Sequence, residues 1–472
     1  DDLVVQVAIV RPGPIEGGAM NPYIRGRQAL RRDPRWRPTY DHPALEPILE
    51  ETLGVILYQE QVLATAMALA GFTAGQADQL RRAMTRKRSH EAMLRLWSQF
   101  RDGALAREVD LETAKTIFRK LMGFASYGFP KAHAAAFALL AYQSCWLKQR
   151  YPAEFVCALL NNQPMGFYPP HVLTNDARRH GVRILPPDVN ASDAECSVAG
   201  NAVRIGLGFI AELGDAGADR IVAARTRHGS FRSLADLIRR VPLRQEAAEH
   251  LVAVGAADGF GLGRREALWQ LGLFIPPRAF GGGRAQRDPG RQLALALPVD
   301  ADMVALPPTT AWERMAIDYQ TLGLSPRYHP LGLLRPHLPA GIVATTELER
   351  LPDGMPVVVV GLVVCRQRPG TAKGVTFLLL EDEHGLANVI IAPALYEARR
   401  PIVRGEPFLI VAGTLQRRGA TINILARRLE PIEGVGRTLP PPPAPDAEEM
   451  EQERPQRAAD LRALAPASHD YR

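Results

Sequence analysis

The sequence predicts a multidomain α+β protein, mostly α-helical to about residue 275 and all-β from about residue 341. Three observations lead there. Long segments such as Gln59 to Ala70 and Leu111 to Met122 repeat their apolar residues at helical period. Two Gly-rich stretches, near 205–217 and 251–269, interrupt short helical pieces. Beyond Ile342, five apolar runs divided by turn residues replace the helical pattern, several of them rich in β-branched side chains. A chain of 472 residues, 46% hydrophobic, has room for roughly three domains of about 150 residues, each with a core.

The helical part opens on Asp1-Asp2, directly before an apolar element from Leu3 to Val10 and without an initiating Met, so it reads as cut from a longer protein. Arg25, Arg27, Arg31, Arg32, Arg35 and Arg37 then share one polar stretch with Pro34 and Pro38. That composition predicts an exposed basic loop, either a solvated face or a phosphate-tracking one. Arg81, Arg82, Arg86, Lys87 and Arg88 place five cations in eight residues, and Arg82 and Arg86, four apart, share a helical face. Arginine forks fit phosphate oxygens, so a triphosphate contact stands beside the alternative of a solvated basic face. From Tyr127 to Lys148, the turn Gly128-Phe129-Pro130 sets Lys131 and His133 at the start of an apolar run, Ala134 to Ala141. This is expected to be the mouth of a buried helix whose N-terminus attracts anions; a helix with a merely basic cap is the alternative.

The extended Arg183 to Asn190 segment marks a boundary. After it, Ile205-Gly206-Leu207-Gly208, Leu213-Gly214 and a following helix fit a helix-hairpin-helix module, with a second copy around Gly255 and Gly261. Glycines at such hairpins let backbone N–H groups approach phosphates, which would hold DNA without reading its sequence. Packing hairpins without a ligand are the alternative. The Gly-, Arg- and Pro-rich residues 276–310 read as a linker, and order resumes from Trp312 to Pro330. The five strands are expected at Pro356–Val364, Val375–Leu380, Ala387–Ile391, Pro407–Gly413 and Thr421–Leu425, forming an OB-type (oligonucleotide-binding) barrel. Its aromatics are few, mainly Phe377, Tyr396 and Phe408, so Arg366, Arg368, Lys373, Arg417 and Arg418 are left to carry single-strand affinity. A Pro- and Glu-rich tail follows, expected to be disordered.

The net charge of +7 favours polyanionic partners, nucleic acid or an acidic membrane surface, and no apolar run approaches the roughly 20 residues of a membrane span. Cys145, Cys157, Cys196 and Cys365 are scattered without ligand spacing, which speaks against a disulfide framework or a structural zinc site and for a reducing cytoplasmic setting.

Four ordered motifs carry a resemblance: Ile9-Val10-Arg11-Pro12-Gly13-Pro14, then Ile56 to Val62 (ILYQEQV), then Leu80 to Met84 (LRRAM), then Tyr127 to Ala138 (YGFPKAHAAAFA). Together they resemble the fingers domain of the bacterial C-family replicative polymerases, the alpha subunits of DNA polymerase III. The finer wording, with Ser468-His469-Asp470-Tyr471-Arg472 at the end, is similar to the error-prone, damage-inducible branch. The resemblance implies fingers over 1–190, tandem helix-hairpin-helix over 191–275, a linker and clamp-proximal segment over 276–340, an OB domain over 341–432 and a tail over 433–472. It implies a DNA-directed DNA polymerase of damage-induced translesion synthesis, with primer–template DNA, deoxynucleoside triphosphates, the sliding clamp and mutasome proteins as partners and no membrane. Arg81, Arg82, Arg86, Lys87, Lys131 and His133 become nucleotide contacts, although Pro130 and Ala132 stand where the family commonly has Asn and Ser. Arg25, Arg27 and the hairpin and barrel residues become DNA contacts. Gln270, Leu273 and Phe274 resemble a clamp-binding peptide, and Gln292 to Ala296 is a degenerate second copy.

The two Mg2+ ions of nucleotidyl transfer would be held by aspartates of the family's palm. No such cluster occurs here, and Glu381-Asp382-Glu383 fits a barrel turn better than a metal site. The chain alone is therefore expected to be inactive, with no catalytic or metal residues of its own. The rival reading is a palm-less DNA-binding or polymerase-partner module.

Overall fold

The computed structural model describes residues 1–10, 20–85, 90–124, 129–166, 168–274, 306–419, 421–432 and 469–471. They fall in two compact units, Asp1–Gln149 and Arg150–Arg472.

The first unit is helical: α1 (Asp2–Ile9), α2 (Met20–Arg32), α3 (Gln59–Ala70), α4 (Ala74–Thr85), α5 (His90–Leu105), α6 (Leu111–Phe124) and α7 (Lys131–Arg150). Its larger core joins Val62, Ala66 and Leu69 of α3 to Leu80, Phe100, Ala104, Ile117 and Leu121. Two sequence expectations change here. Arg25, Arg27, Arg31 and Arg32 lie on α2 and not in a loop. Pro22 occupies the first turn, where its missing N–H costs nothing, and Pro34 and Pro38 come only after the helix has ended. Helix α7 is not buried: Ala134 and Ala138 alone are inaccessible, while Phe137, Leu139, Leu140, Tyr142, Trp146 and Leu147 are exposed. Ala134 joins Val5, Ala8, Ile9, Tyr23, Leu57 and Tyr58 in a small second core. The helix is apolar nearly all round, so composition did not distinguish its packed stripe from its free face.

The second unit begins with α8 (Pro152–Asn161) and α9 (Pro170–Arg179) and a small sheet of β1 (Arg183–Leu185), β2 (Ser197–Val198) and β3 (Ala202–Arg204). In it β3 is central, parallel to β1 and antiparallel to β2. The helical hairpins follow: α10 (Gly214–His228), α11 (Leu234–Arg240), α12 (Gln245–Ala253) and α13 (Arg264–Phe274). One core runs from Ala153, Val156 and Leu160 through Val182 and Ile184 to Ile221, Leu251 and Leu271. The boundary expected near 190 therefore falls inside a continuous core. Most of the expected linker, 275–305, lies outside the described residues. Next come α14 (Ala311–Leu322), opened by a Thr310–Glu313 capping box, and α15 (Pro330–Leu334).

The barrel consists of β4 (Pro356–Gln367), β5 (Thr376–Glu381), β6 (Leu386–Ile391), β7 (Phe408–Arg418) and β8 (Thr421–Pro431). Two short helices, α16 (Pro393–Ala398) and α17 (Arg400–Gly405), connect β6 to β7. Among the described residues the sheet order is β4-β5-β6-β8-β7, and β4 also pairs with β7, which closes it. The β6–β8 pair is parallel and the other barrel pairs are antiparallel. β4 closes the barrel by dividing its length: residues 356–362 pair with β7 and 362–367 with β5. Alternation puts Val357, Val359, Leu378, Leu380, Val389, Val411 and Ile424 into the core. This is the expected OB-type barrel. The tail residues 433–468 lie outside the described residues. The chain end departs from the expected disorder, because β9 (His469–Tyr471) pairs in parallel with Cys365–Gln367. Among the described residues no helix is long and apolar enough to cross a membrane.

Candidate nucleic-acid interface

In the first unit the Tyr58-Gln59-Glu60-Gln61 segment organises the start of α7. The Lys131 backbone N–H donates to both oxygens of Glu60, at 3.1 and 3.0 Å, so a protein carboxylate already sits at the first turn of α7. Lys131 Nζ donates to Glu51 at 2.6 Å and lies 5.8 Å from the Tyr58 ring centroid. Tyr58 is buried, which pushes its phenol above the ordinary range. Gln61 ties the loop together: its Oε1 accepts from Leu57 and Tyr58 N–H, and its Nε2 donates to Ile48 O and Thr52 Oγ1. His133 lies between two aromatic rings, 5.1 Å from Phe129 and 4.5 Å from Phe137. Arg82 is exposed on α4 and pairs with Asp78 at 2.6 Å. Arg81 shares that helix, with its side chain outside the described residues, and Arg86 and Lys87 lie outside them altogether. Arg25 is exposed on α2, whereas Arg27 pairs with Asp2.

The hairpin glycines differ in what holds them. A Cβ at Gly206 would lie 2.4 Å from the Ala194 carbonyl oxygen, and its N–H points to Cys196 Sγ at 3.5 Å. Gly208 N–H donates to Ala194 O at 2.9 Å. Both are packing glycines, with their donors turned inward rather than to a phosphate. Gly214 is different: it is exposed at φ +63°, with open space where a side chain would be. It begins α10, whose N-terminus has no side-chain cap, leaving first-turn N–H groups facing solvent. In the second hairpin Gly255 is buried at φ +82° beneath the Arg264–Asp258 pair. Gly261 is exposed, but its N–H donates to Asp258 O, and Glu266 accepts from Gly263 N–H at the start of α13. Only the first hairpin keeps the open donors that the sequence argument required of both.

The barrel residues separate in the same way. Arg366 is buried and donates to Val403 O at 2.7 Å and Glu406 O at 2.5 Å, which caps α17. One Arg417 nitrogen donates to the carbonyls of Leu348, Glu349 and Leu351. Both guanidiniums are structural, because a carbonyl cluster without its own donors had to be satisfied. Tyr396 is buried beneath Arg368, whose guanidinium lies 4.1 Å from the ring centroid, and Phe408 is in the core, so neither offers a stacking face. Lys373 and Arg418 remain exposed, in the β4–β5 loop and at the end of β7.

Strand register adds what the sequence reading missed. Phe377 pairs with Ile390, and Ile390 pairs with Leu425, so these three form one outward row across β5, β6 and β8. Phe377 is 37% and Leu425 42% exposed. In OB barrels the second and third strands and the loops holding Lys373 and Arg418 frame the oligonucleotide face. The exposed alternate positions of β6 and β8 were visible in sequence, but their pairing partners were not.

Gln270, Leu273 and Phe274 fall in the last turns of α13 rather than in an extended peptide, while 292–296 lie outside the described residues. The Glu381-Asp382-Glu383 carboxylates are all engaged by protein donors, as expected of a turn: Glu381 accepts from Arg179, Asp382 from Thr345, His384 and Gly385, and Glu383 from Arg335. Among the described residues no group of three or more His, Cys, Asp or Glu side chains is placed to hold a metal ion.

Comparison with known proteins agrees with this architecture. The family described as the bacterial DNA polymerase III alpha subunit finger domain matches residues 1–108, and the helix-hairpin-helix motif matches 181–267. A fingers match, a hairpin match and an OB-type barrel thus follow one another in one chain, an order consistent with part of a bacterial C-family polymerase. The relatives it is similar to are named error-prone DNA polymerases. The one from Anaeromyxobacter sp. (strain K) is 44% identical over 444 residues, covering 91% of this chain and 38% of the relative. Those of Mycolicibacterium paratuberculosis and Mycobacterium tuberculosis (strain H37Rv) are 46% and 45% identical over 433 residues, with the same coverage. The chain thus spans 38% of the length of the curated relatives it matches. A solved asparaginyl-tRNA synthetase from Pyrococcus horikoshii, 23% identical over 26% of this chain and 29% of its own, has a TM-score of 0.18, too low to carry an argument.

Proposed function

We propose that this chain is the nucleotide- and DNA-holding portion of an error-prone DNA-directed DNA polymerase, working in damage-induced mutagenesis and translesion synthesis in the cytoplasm. The observation that carries the reading is identity of 44–46% along 91% of the chain to proteins named error-prone DNA polymerase. The relatives' additional length leaves room for a palm whose carboxylates would hold the two Mg2+ ions. Arg81 and Arg82, with Arg86 and Lys87, are proposed to contact the triphosphate, and Lys131 and His133 to flank the nucleotide. The open N-terminus of α10 would hold a duplex phosphate without reading sequence. The Phe377–Ile390–Leu425 row, with Lys373 and Arg418, would stack and steer single-stranded template. The sliding clamp and mutasome proteins are the proposed protein partners.

Two substitutions test the two halves. Arg81→Ala with Arg82→Ala in the complete polymerase should raise KM for incoming nucleotide; an unchanged KM would remove the triphosphate assignment. Phe377→Ala should weaken binding of a dT oligonucleotide by roughly 5- to 100-fold, the range for losing one base stack. Unchanged binding would take the template role away from the barrel face.

A further inference from the structure

A cleft of about 550 Å3 opens in the second unit where α9, the turn before α15 and the β5–β6 turn converge. Arg178 and Arg179 line it from one side, Arg327, Tyr328 and His329 from another, and His384 closes the third. Its cations are unevenly neutralised. Arg179 is committed to Glu381 at 2.8 Å, and Glu383 on the cleft wall is held by Arg335 at 2.6 Å. Arg178 has no carboxylate partner among the described residues; its guanidinium hydrogen-bonds Asn175 Oδ1, and that amide in turn donates to Glu381 at 3.0 Å. Burial and the neighbouring Arg179 push the Arg178 guanidinium below its ordinary range. Arg327 is exposed and makes no ion pair among the described residues. His329 is buried, and its Nδ1 accepts from Leu331 N–H, so the neutral ring carries its proton on Nε2. That Nε2 has no hydrogen-bond partner among the described residues and lies 4.0 Å from Glu381. Arg178 and Arg327 feel the Glu381 and Asp318 carboxylates only at longer range and make no direct ion pair among the described residues, so with one of them half-buried they leave a cationic site with room for an anion.

We propose that this cleft binds a phosphate group of a single-stranded DNA backbone, with Arg178 and Arg327 as its charged ligands and the Tyr328 ring beside the adjoining nucleotide. An open cleft bearing both cations and an aromatic ring suits a strand passing through it better than a small free ion. The inference rests on the DNA-holding part of the proposed function and is independent of polymerase chemistry and of the Phe377 face.

The test is fluorescence anisotropy of a labelled dT oligonucleotide on the full 472-residue chain, across a salt series. Arg327→Gln breaks no ion pair among the described residues, so it should leave the thermal midpoint unchanged, weaken binding several-fold and lower the slope of log K against log salt by about 0.7, the value for one phosphate on a single strand. Arg178→Gln should weaken binding and lower the slope likewise, with some loss of thermal midpoint because it also removes the hydrogen bond to Asn175, and combining Arg327→Gln with Phe377→Ala should multiply the separate losses in affinity. If Arg327→Gln leaves both affinity and slope at the parent values, the cleft is not on the DNA path and the inference is overturned. It is equally overturned if Arg327→Gln weakens only the binding of inorganic phosphate or pyrophosphate, measured by calorimetry. Loss of binding with Phe377→Ala alone would instead support the barrel face while rejecting the cleft.

Discussion

Arg179 on α9 donates to Glu381 at the end of β5 at 2.8 Å, across 202 residues of sequence, and the glutamate is completely buried. Asn175 donates to the second oxygen at 3.0 Å. Burial pushes the Glu381 carboxyl up, and the Arg179 and Asn175 donors pull it back. The barrel is thus fastened to the helical part of its own unit by charge-assisted hydrogen bonds in a dry site, where each partner depends on the other.

Arg179→Met should therefore destabilise the chain by about 3–5 kcal/mol, because it leaves a buried carboxylate unpaired. Adding Glu381→Leu should recover most of that loss. Urea unfolding of the single and double variants measures both effects, and a double variant no more stable than Arg179→Met would refute the coupling.

Gln61→Leu should cost about 3 kcal/mol, since it leaves the Leu57 and Tyr58 N–H groups without their acceptor in a buried loop. Amide hydrogen exchange offers the local readout. Protection at Leu57 and Tyr58 should collapse, while the amides of the core around Phe100 should stay protected. Unchanged protection at Leu57 and Tyr58 would show that Gln61 does not hold this loop.

Arg366 and Lys373 should respond oppositely to alanine substitution. Arg366→Ala removes the donors to Val403 and Glu406 and should lower the thermal midpoint, with the salt dependence of oligonucleotide binding unchanged. Lys373→Ala should leave the midpoint in place and lower the salt slope by about 0.7. A salt slope that responds to Arg366→Ala alone would reverse the structural assignment.

Two buried groups give opposing pH dependence. Burial pushes the Asp318 carboxyl up to about 6, against the pull of the Ser325 hydroxyl at 2.7 Å. Its contribution to stability is complete below about pH 4, the unfolded carboxylate range, and is lost as pH rises through 6. Burial also pushes His329 down to about 3. Its contribution is present above about pH 6.5 and is lost as pH falls toward 3, because the unfolded chain takes up the proton first. Between about pH 4 and 6 the two slopes oppose each other. Asp318→Asn should make stability rise with pH by about 1.4 kcal/mol per unit more than in the parent, and His329→Gln should change the slope in the other direction. Denaturant midpoints at about pH 4, 5 and 6 measure both.

Much of the architecture was legible in the sequence. Gln59–Ala70 is a helix at the bounds its periodicity predicts, and the five apolar runs after Ile342 are the five barrel strands. The candidate site was less legible. Arg366, Lys373, Arg417 and Arg418 are equivalent as sequence, yet two of them serve backbone carbonyls and two face solvent. Gly206 and Gly214 likewise look alike until one proves to be pressed against the Ala194 carbonyl and the other open.

By itself the sequence determined what depends on local pattern: helical and strand periodicity, the Gly-rich hairpins, the basic balance and the ordered motifs of the polymerase family. Those signals are set by neighbours a few residues apart and survive without a partner. Tertiary structure alone decided which barrel cations face solvent, which glycine donors are open, and that Phe377, Ile390 and Leu425 make one row. It also brought Arg179 to Glu381. Each of these depends on strand register or on packing between distant segments, where a shift of one residue would turn a side chain to the opposite face.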